Sequence, residues 1–387
     1  MPLNEIINAS HQLVNKEDFF YNISHTLDLE FNPTDLKNAQ DYLRDLGCPD
    51  GILETLFDKN GQWQYESPID LSNLDDLSFV ELNELLQKAY EQIYIAVTLS
   101  LDSISKYGFN SHDEAHIDKV TEETIRLLQR REYPIEAEKN KTIKNGIIAA
   151  RSHDIGNLFS RKVHSIISYL MVEKIFPSLT SDKDNYRRIM QAIGLHDEHI
   201  TESVLNSHTI GDAQEIIQVM KDFFPAEALA LLVADKIQIG RERISSKSRS
   251  RGAIDRDKHV EVNFFGQTKG LVFSPEKDTM TWTLEFNDSV NLEERELYSE
   301  MTTETDDSKA YTSHDTNARL KNEGISYFST WQNNFWQLYT NRVKLTIEAA
   351  FALYSELKEF RIEMVDLSKQ EERKSAKKMF YTFTRPQ

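Results

Sequence analysis

From Asp75 to about Lys106, the apolar residues Phe79, Leu82, Leu85, Leu86, Ile93, Val97 and Leu101 recur mostly at threes and fours, the spacing that gathers side chains on one helix face. One long amphipathic helix is predicted there. The same period returns in Ile117, Val120, Ile125 and Leu128, in Ile143, Ile147, Ile148 and Ile155, and in Val163, Ile166, Ile167, Leu170 and Met171. Two further helical runs, Tyr186 to His196 and Ala226 to Ile244, complete a predicted helical bundle. After Arg251 and Gly252 the rhythm changes to alternation, in Val260, Val262 and Phe264 and again in Trp282, Leu284 and Phe286. With Ser274-Pro275-Glu276 as a turn between them, this predicts a small antiparallel hairpin or sheet.

An aromatic helical segment follows from Ile325 to Phe360, and it must pack on something; Trp331 and Phe335 would otherwise offer a contact for a second copy of the chain. Residues 291–322 are polar and aperiodic, which predicts a long mobile acidic loop with Asp306, Asp307, His314 and Asp315 in solvent. The basic run Lys369, Arg373, Lys374, Lys377 and Lys378 reads first as a solvated helix face and second as a contact for an anion. Ahead of the first long helix, the turn signals Asn32-Pro33, Pro49-Asp50-Gly51 and Asn60-Gly61 divide a polar stretch into short helices. The expected organisation is a mainly α chain: an N-terminal helical extension over 1–104, a helical core over 105–255, and a region over 256–387 holding the β element, the loop, a long C-terminal helix and the basic tail.

Composition narrows the partners. The chain has 387 residues with 39% hydrophobic and 10% aromatic positions, enough for a sizeable core. Its 45 Lys and Arg stand against 63 Asp and Glu, and the formal charge of −18 repels duplex nucleic acid and anionic membranes. There is one cysteine, Cys48, so no intrachain disulfide can form and a reducing compartment fits. No run approaches the roughly 18 apolar residues that span a bilayer, and the opening MPLNEIINAS lacks the pattern of a secretory leader. A cytoplasmic protein is expected.

The candidate chemistry centres on His153-Asp154, at the end of an apolar helical run, with His116, His164, His196 and Asp235 on neighbouring elements. Imidazole nitrogens and carboxylate oxygens together suit zinc, iron, manganese or cobalt, and so many ligands exceed the need of one tetrahedral ion, so two are expected. In a helix, adjacent His153 and Asp154 would point about 100° apart, letting the imidazole meet one ion while the carboxylate reaches another. Asp235 ends the apolar run Leu231-Leu232-Val233-Ala234, where an unpaired carboxylate is costly unless a metal or a cation answers it. His112 lies four residues before His116 and His199 three after His196; each is a further candidate, as ligand, proton donor or orienting group. Arg161 and Lys236 are cations beside these ligands that could bind an anionic group, against the alternative of ordinary ion pairs. The cluster Arg241, Arg243, Lys247, Arg249 and Arg251 reads as a solvated helix exit, or as a patch steering an anionic substrate.

The order His116, His153-Asp154-Ile155-Gly156-Asn157, His164, Ile193-Gly194-Leu195-His196-Asp197-Glu198 and Ala234-Asp235-Lys236 resembles the HD-domain superfamily of metal-dependent phosphohydrolases. The likeness is to the bacterial branch with HDIGN, IGNHDE and LADK motifs, and it covers about residues 105–265. Tyr327-Phe328 to Met364 also looks like the C-terminal helix and closing strand of that branch. The resemblance implies an HD-type helical core in which His116, His153, Asp154 and Asp235 hold one ion, and Asp154, His164 and His196 a second. It implies hydrolysis of a phosphomonoester or phosphodiester, a nucleotide or nucleotide-derived signal, with Asp154 as the catalytic pivot. Where the cyclic-dinucleotide-cleaving HD-GYP group has lysine, this chain has Asn157, and the GYP signature is missing. Leu195 replaces the usual asparagine of IGNHDE, and Asp113 the glycine expected near the first histidine. Two other readings stand beside the hydrolase: a non-catalytic sensor or scaffold that keeps a metal for stability, and a di-iron oxygenase.

Overall fold

A computed structural model of the chain describes residues 44, 49–60, 64–65, 67, 69–104, 114–158, 164–206, 212–240, 243, 258–287, 327–367 and 377–386. The 291–322 loop, His112, Arg161 and most of the first 48 residues lie outside these.

Among the described residues the fold is mostly helical, with one four-stranded mixed sheet. The helices are α1 (Asp50–Leu56), α2 (Phe79–Ile104), α3 (Glu114–Arg130), α4 (Glu136–Ser152), α5 (His164–Ile175), α6 (Lys183–Leu195), α7 (Glu198–Asn206), α8 (Ala213–Phe223), α9 (Ala226–Lys236), α10 (Lys258–Phe265) and α11 (Tyr327–Leu353). At the centre is α9, whose residues from Ala226 to Asp235 are all buried, and which packs against α3, α4, α6 and α11. Such all-round burial follows from its composition: Ala-Leu-Ala-Leu-Leu-Val-Ala offers an apolar surface on every side. The one acid near its start, Glu227, is answered by Arg188 Nε at 3.0 Å and by Asn145 Nδ2 at 3.2 Å. In α3, Ile117, Val120, Thr124, Leu127 and Leu128 face the core at helical spacing, with His116 among the buried residues. The N-terminal side is tied in by Lys144, whose buried ammonium donates to the carbonyls of Leu74 and Asp75 at 2.9 and 2.7 Å. Asp182 and Asp212 cap α6 and α8 by accepting from backbone N–H groups of the first turn.

The strands are β1 (Gly266–Phe273), β2 (Thr279–Phe286), β3 (Glu359–Asp366) and β4 (Lys377–Thr384), in spatial order β1-β2-β3-β4. The β1/β2 and β3/β4 pairs are antiparallel, but β2 and β3 run parallel, in register from Thr279 with Glu359 to Phe286 with Asp366. A parallel pair needs a crossover, and α11 lies in it. Its aromatic side chains cover the inner sheet face: Trp331 meets Phe286 at 5.3 Å between ring centroids, and Phe335 meets Trp282 at 5.9 Å. The partner surface that Trp331 and Phe335 require is thus supplied by the chain's own sheet.

Several expectations are corrected here. The hairpin is half of a mixed sheet, because the partner of β2 lies more than seventy residues along the chain, beyond the reach of local pattern. Val260, Val262 and Phe264 belong to α10 rather than to a strand; five alternating residues are too few to fix a period, and this segment packs on α11 and β1. The helix expected to run to Ile244 stops at Lys236. Lys377 and Lys378 begin edge strand β4 instead of lying on a helix face, and Lys378 Nζ pairs with Glu363 at 2.8 Å. Among the described residues no helix is long and apolar enough to cross a membrane.

Candidate metal centre

The predicted ligands lie at helix ends. His116 sits in the first turn of α3, His164 opens α5, His153 and His196 directly follow α4 and α6, and Asp235 occupies the last turn of α9. The C-terminal ends of α4, α6 and α9 carry partial negative charge from their unsatisfied carbonyls, a field that favours cations. After Ser152 the helix gives way to a turn and then to a single 3-10 turn, Ile155–Leu158. This replaces the helical geometry expected for His153-Asp154: both side chains enter one cluster, with His153 Nε2 3.0 Å from Asp154 Oδ2. Asn157 secures the corner by donating to the Asp154 carbonyl at 3.0 Å and to its Oδ1 at 2.9 Å.

Asp154 divides the histidines between its two oxygens. Oδ2 faces His153 and, at 3.5 Å, His116 Nε2; Oδ1 faces His164 Nε2 at 3.3 Å and His196 Nε2 at 3.7 Å. The latter two ring nitrogens are themselves 3.1 Å apart. On the other flank His116 Nε2 lies 3.4 Å from Asp235 Oδ1. All six residues named from the sequence as ligands are therefore buried together. His199 is exposed and stands apart from them, with only its backbone N–H reaching Asp197.

Among the described residues, two groups of buried side chains could hold a metal ion: His116, His153 and Asp235, and His153, Asp154 and His196. The state of the imidazoles fits that role. The Nδ1 atoms of His153 and His196 meet the carbonyls of Ala150 and Ile193 at 2.7 and 2.5 Å. A carbonyl only accepts, so each Nδ1 carries a hydrogen and, in the neutral ring, the Nε2 lone pair is left for the cluster. His153 Nε2 is buried and makes no hydrogen bond. It lies 3.0 Å from Asp154 Oδ2, so in the neutral ring two lone pairs face each other, an arrangement that a shared cation would relieve.

Electrostatics show that the cluster draws positive charge, a proton on His153 included. Burial would raise the Asp235 carboxyl, but Lys236, His116, Arg243 and His153 hold it well below the usual carboxylate range. Burial likewise opposes a charged His153, yet Asp154, Asp235 and the Ala150 carbonyl outweigh it and raise its pKa. Asp235 stays ionised and attracts positive charge.

Three participants escaped the sequence reading. Asp197, next to His196, accepts the N–H groups of His199 and Ile200 at the start of α7 and lies 3.7 Å from His164 Nδ1 through its other oxygen. Its position in His-Asp-Glu was the available signal. Arg243, read only as part of a basic patch, is buried with Nη1 3.3 Å from both Asp235 Oδ1 and His116 Nδ1. Arg342 contacts the end of α9 from over a hundred residues away, and no local signal announces it. Lys236, expected to face phosphate, lies with Nζ 2.8 Å from Asp235 Oδ2. Compared with protein-family models, curated proteins and solved structures, the chain matches none of them.

Proposed function

We propose that this protein is a metal-dependent phosphohydrolase of the HD type, cleaving a phosphomonoester or phosphodiester of a nucleotide or nucleotide-derived compound. The observation that carries the reading is the divided Asp154 carboxylate, with one histidine pair on each oxygen. His116, His153, Asp154 and Asp235 would hold one divalent ion, and Asp154, His164 and His196 a second. Manganese, iron, zinc and cobalt all suit this donor set. Bound ions would supply Lewis-acid chemistry, acidifying water and neutralising charge on phosphoryl oxygens.

The chain's own groups do the rest. Asp154 would accept a hydrogen bond from the attacking water and orient it. The backbone carbonyls of Ala150 and Ile193 keep two imidazoles in the tautomer that presents Nε2. Lys236 and Arg161 are assigned to the phosphate, and Arg243, already inside the cluster, joins them as a buried cation with a fork suited to phosphate oxygens. Asn157 spends its amide on Asp154 and offers no charge to a substrate. That separates this chain from cyclic-dinucleotide hydrolases with lysine at the corresponding place.

The test is metal analysis of protein purified without chelator, together with a screen of nucleotides and generic phosphodiesters against wild type and Asp154→Asn. Wild type should carry divalent metal and release phosphate or nucleotide; Asp154→Asn should abolish turnover while keeping its helical circular dichroism. Bound metal with no turnover on any ester would favour a sensor or an oxygenase. Global unfolding of the variant would make Asp154 structural.

A further inference from the structure

We propose that Arg342 is a positioning residue for Asp235, and that through it the C-terminal layer of α10, β1 and α11 sets the metal cluster. The proposal rests on the reading of Asp235 as a ligand. A helix C-terminus leaves carbonyls unsatisfied and partly negative, and α9 places an ionised carboxylate in its last turn, adding like charge to that end. From the middle of α11, Arg342 answers both. Its Nε donates to the Lys236 carbonyl at 2.7 Å and its Nη2 to the Asp235 carbonyl at 2.8 Å, while its guanidinium lies 5.4 Å from the Tyr339 ring centroid. The guanidinium fork is planar and its N–H directions are fixed, so bonds to two consecutive carbonyls fix that stretch of backbone. The direction in which the Asp235 side chain leaves the helix is fixed with it.

The next residues are held by the same layer. Thr268 on β1 donates its N–H to the Ile239 carbonyl at 2.7 Å and accepts the Ile239 N–H on Oγ1 at 3.1 Å. Gly240 N–H donates to Asn263 Oδ1 at 3.2 Å, and Asn263 Nδ2 in turn donates to Tyr339 OH at 3.2 Å. Thr268 still pairs with Leu284, at the last position before the β1/β2 register shifts on the way to Leu271, and its N–H and Oγ1 are turned to this segment. Arg342 thus acts on Asp235 through its backbone, while the carboxylate meets His116, Lys236 and Arg243.

Cobalt(II) is the probe, because its visible absorption reports its ligands without any turnover. Titration of chelator-treated full-length protein would compare wild type, Arg342→Ala, Arg342→Lys and, as a control, Lys144→Ala. Lys144 is another buried cation capping carbonyls, but those of Leu74 and Asp75. Arg342→Ala should weaken cobalt binding about 10–100-fold and change the visible spectrum, with Arg342→Lys between it and wild type. Lys144→Ala should lower the melting temperature and leave affinity unchanged. Wild-type affinity and spectrum in Arg342→Ala would overturn the positioning role and leave the metal centre standing. Equal weakening in Lys144→Ala would also overturn it, as mere destabilisation. If wild type takes up no cobalt, the metal reading falls and this proposal with it. Should Arg342→Ala fail to fold, Arg342→Lys decides: weaker binding supports the role, and unchanged binding overturns it.

Discussion

Asp235 and Glu348 show how far one residue's surroundings decide its chemistry. Both are acids in apolar helical runs, and the sequence around each reads alike. Asp235 finds Lys236, Arg243 and two histidines, and its carboxyl is held low. Glu348 on α11 is 4% exposed, both its oxygens lack hydrogen bonds, and its nearest cation, Lys344, stands 3.8 Å away. Burial pushes it up to about 7, only partly opposed by Lys344. Between the ordinary value of 4.5 and about 7 the folded state therefore binds more protons than the unfolded chain, so stability falls as pH rises through this window. Removing the charge should cancel that loss. Glu348→Gln is expected to stabilise the protein at pH 8 by up to about 3 kcal/mol, and by next to nothing at pH 4, in denaturant titrations at the two pH values. An equal effect at both would mean that Glu348 does not change its ionisation on folding.

At the scale of elements, the corner between α4 and α5 carries the most consequence. The 3-10 turn Ile155–Leu158 lies directly on the start of α5: Gly156 N–H donates to Ser168 Oγ at 2.8 Å, and Ser168 Oγ donates to the His153 carbonyl at 2.7 Å. A Cβ at Gly156 would stand 2.0 Å from the His164 carbonyl oxygen and 2.5 Å from Ser168 N, both backbone atoms that cannot rotate away. Glycine is required there by closeness. Gly156→Ala should cost about 1–3 kcal/mol or more and, by displacing His164 from His196, weaken cobalt uptake; urea denaturation and cobalt titration would check both. A wild-type midpoint would show that the two elements part cheaply. The sequence puts His153-Asp154 at the end of a helical run but gives the pair helical geometry, because the 3-10 turn that follows is held by Ser168 on another helix. Where α9 stops was also hidden, because Arg342, Thr268 and Asn263 hold the chain beyond it from other elements.

For the whole molecule, one continuous core runs from Leu53 through the bundle to Met364 on β3, crossing all three regions suggested by the sequence. Trp331 is wholly buried between α11, α10 and the sheet, stacked along α11 with Phe328 and Phe335 and donating its Nε1 hydrogen to the Val262 carbonyl at 3.1 Å. Trp331→Ala should lower stability by about 3–5 kcal/mol. Because Arg342 lies on the same helix, cobalt affinity should weaken in parallel. Coincident unfolding curves from circular dichroism and cobalt absorption would bear this out; separate transitions would mean that bundle and sheet layer unfold independently.

The sequence by itself determined the helical bundle, the long α2, the aromatic α11 and the six residues of the buried cluster, since helical period and motif order are local properties of the chain. It could not determine that β2 pairs in parallel with β3, that Lys377 and Lys378 open the edge strand β4, or that an apolar alternation winds into α10. Those outcomes are decided by partners distant in sequence, whose contacts outweigh local preference. Nor could it foresee that the ends of α4, α6 and α9 would turn their partial negative charge toward one place. Packing alone brings four histidines and two aspartates together, and their shared burial is what would make an added cation favourable.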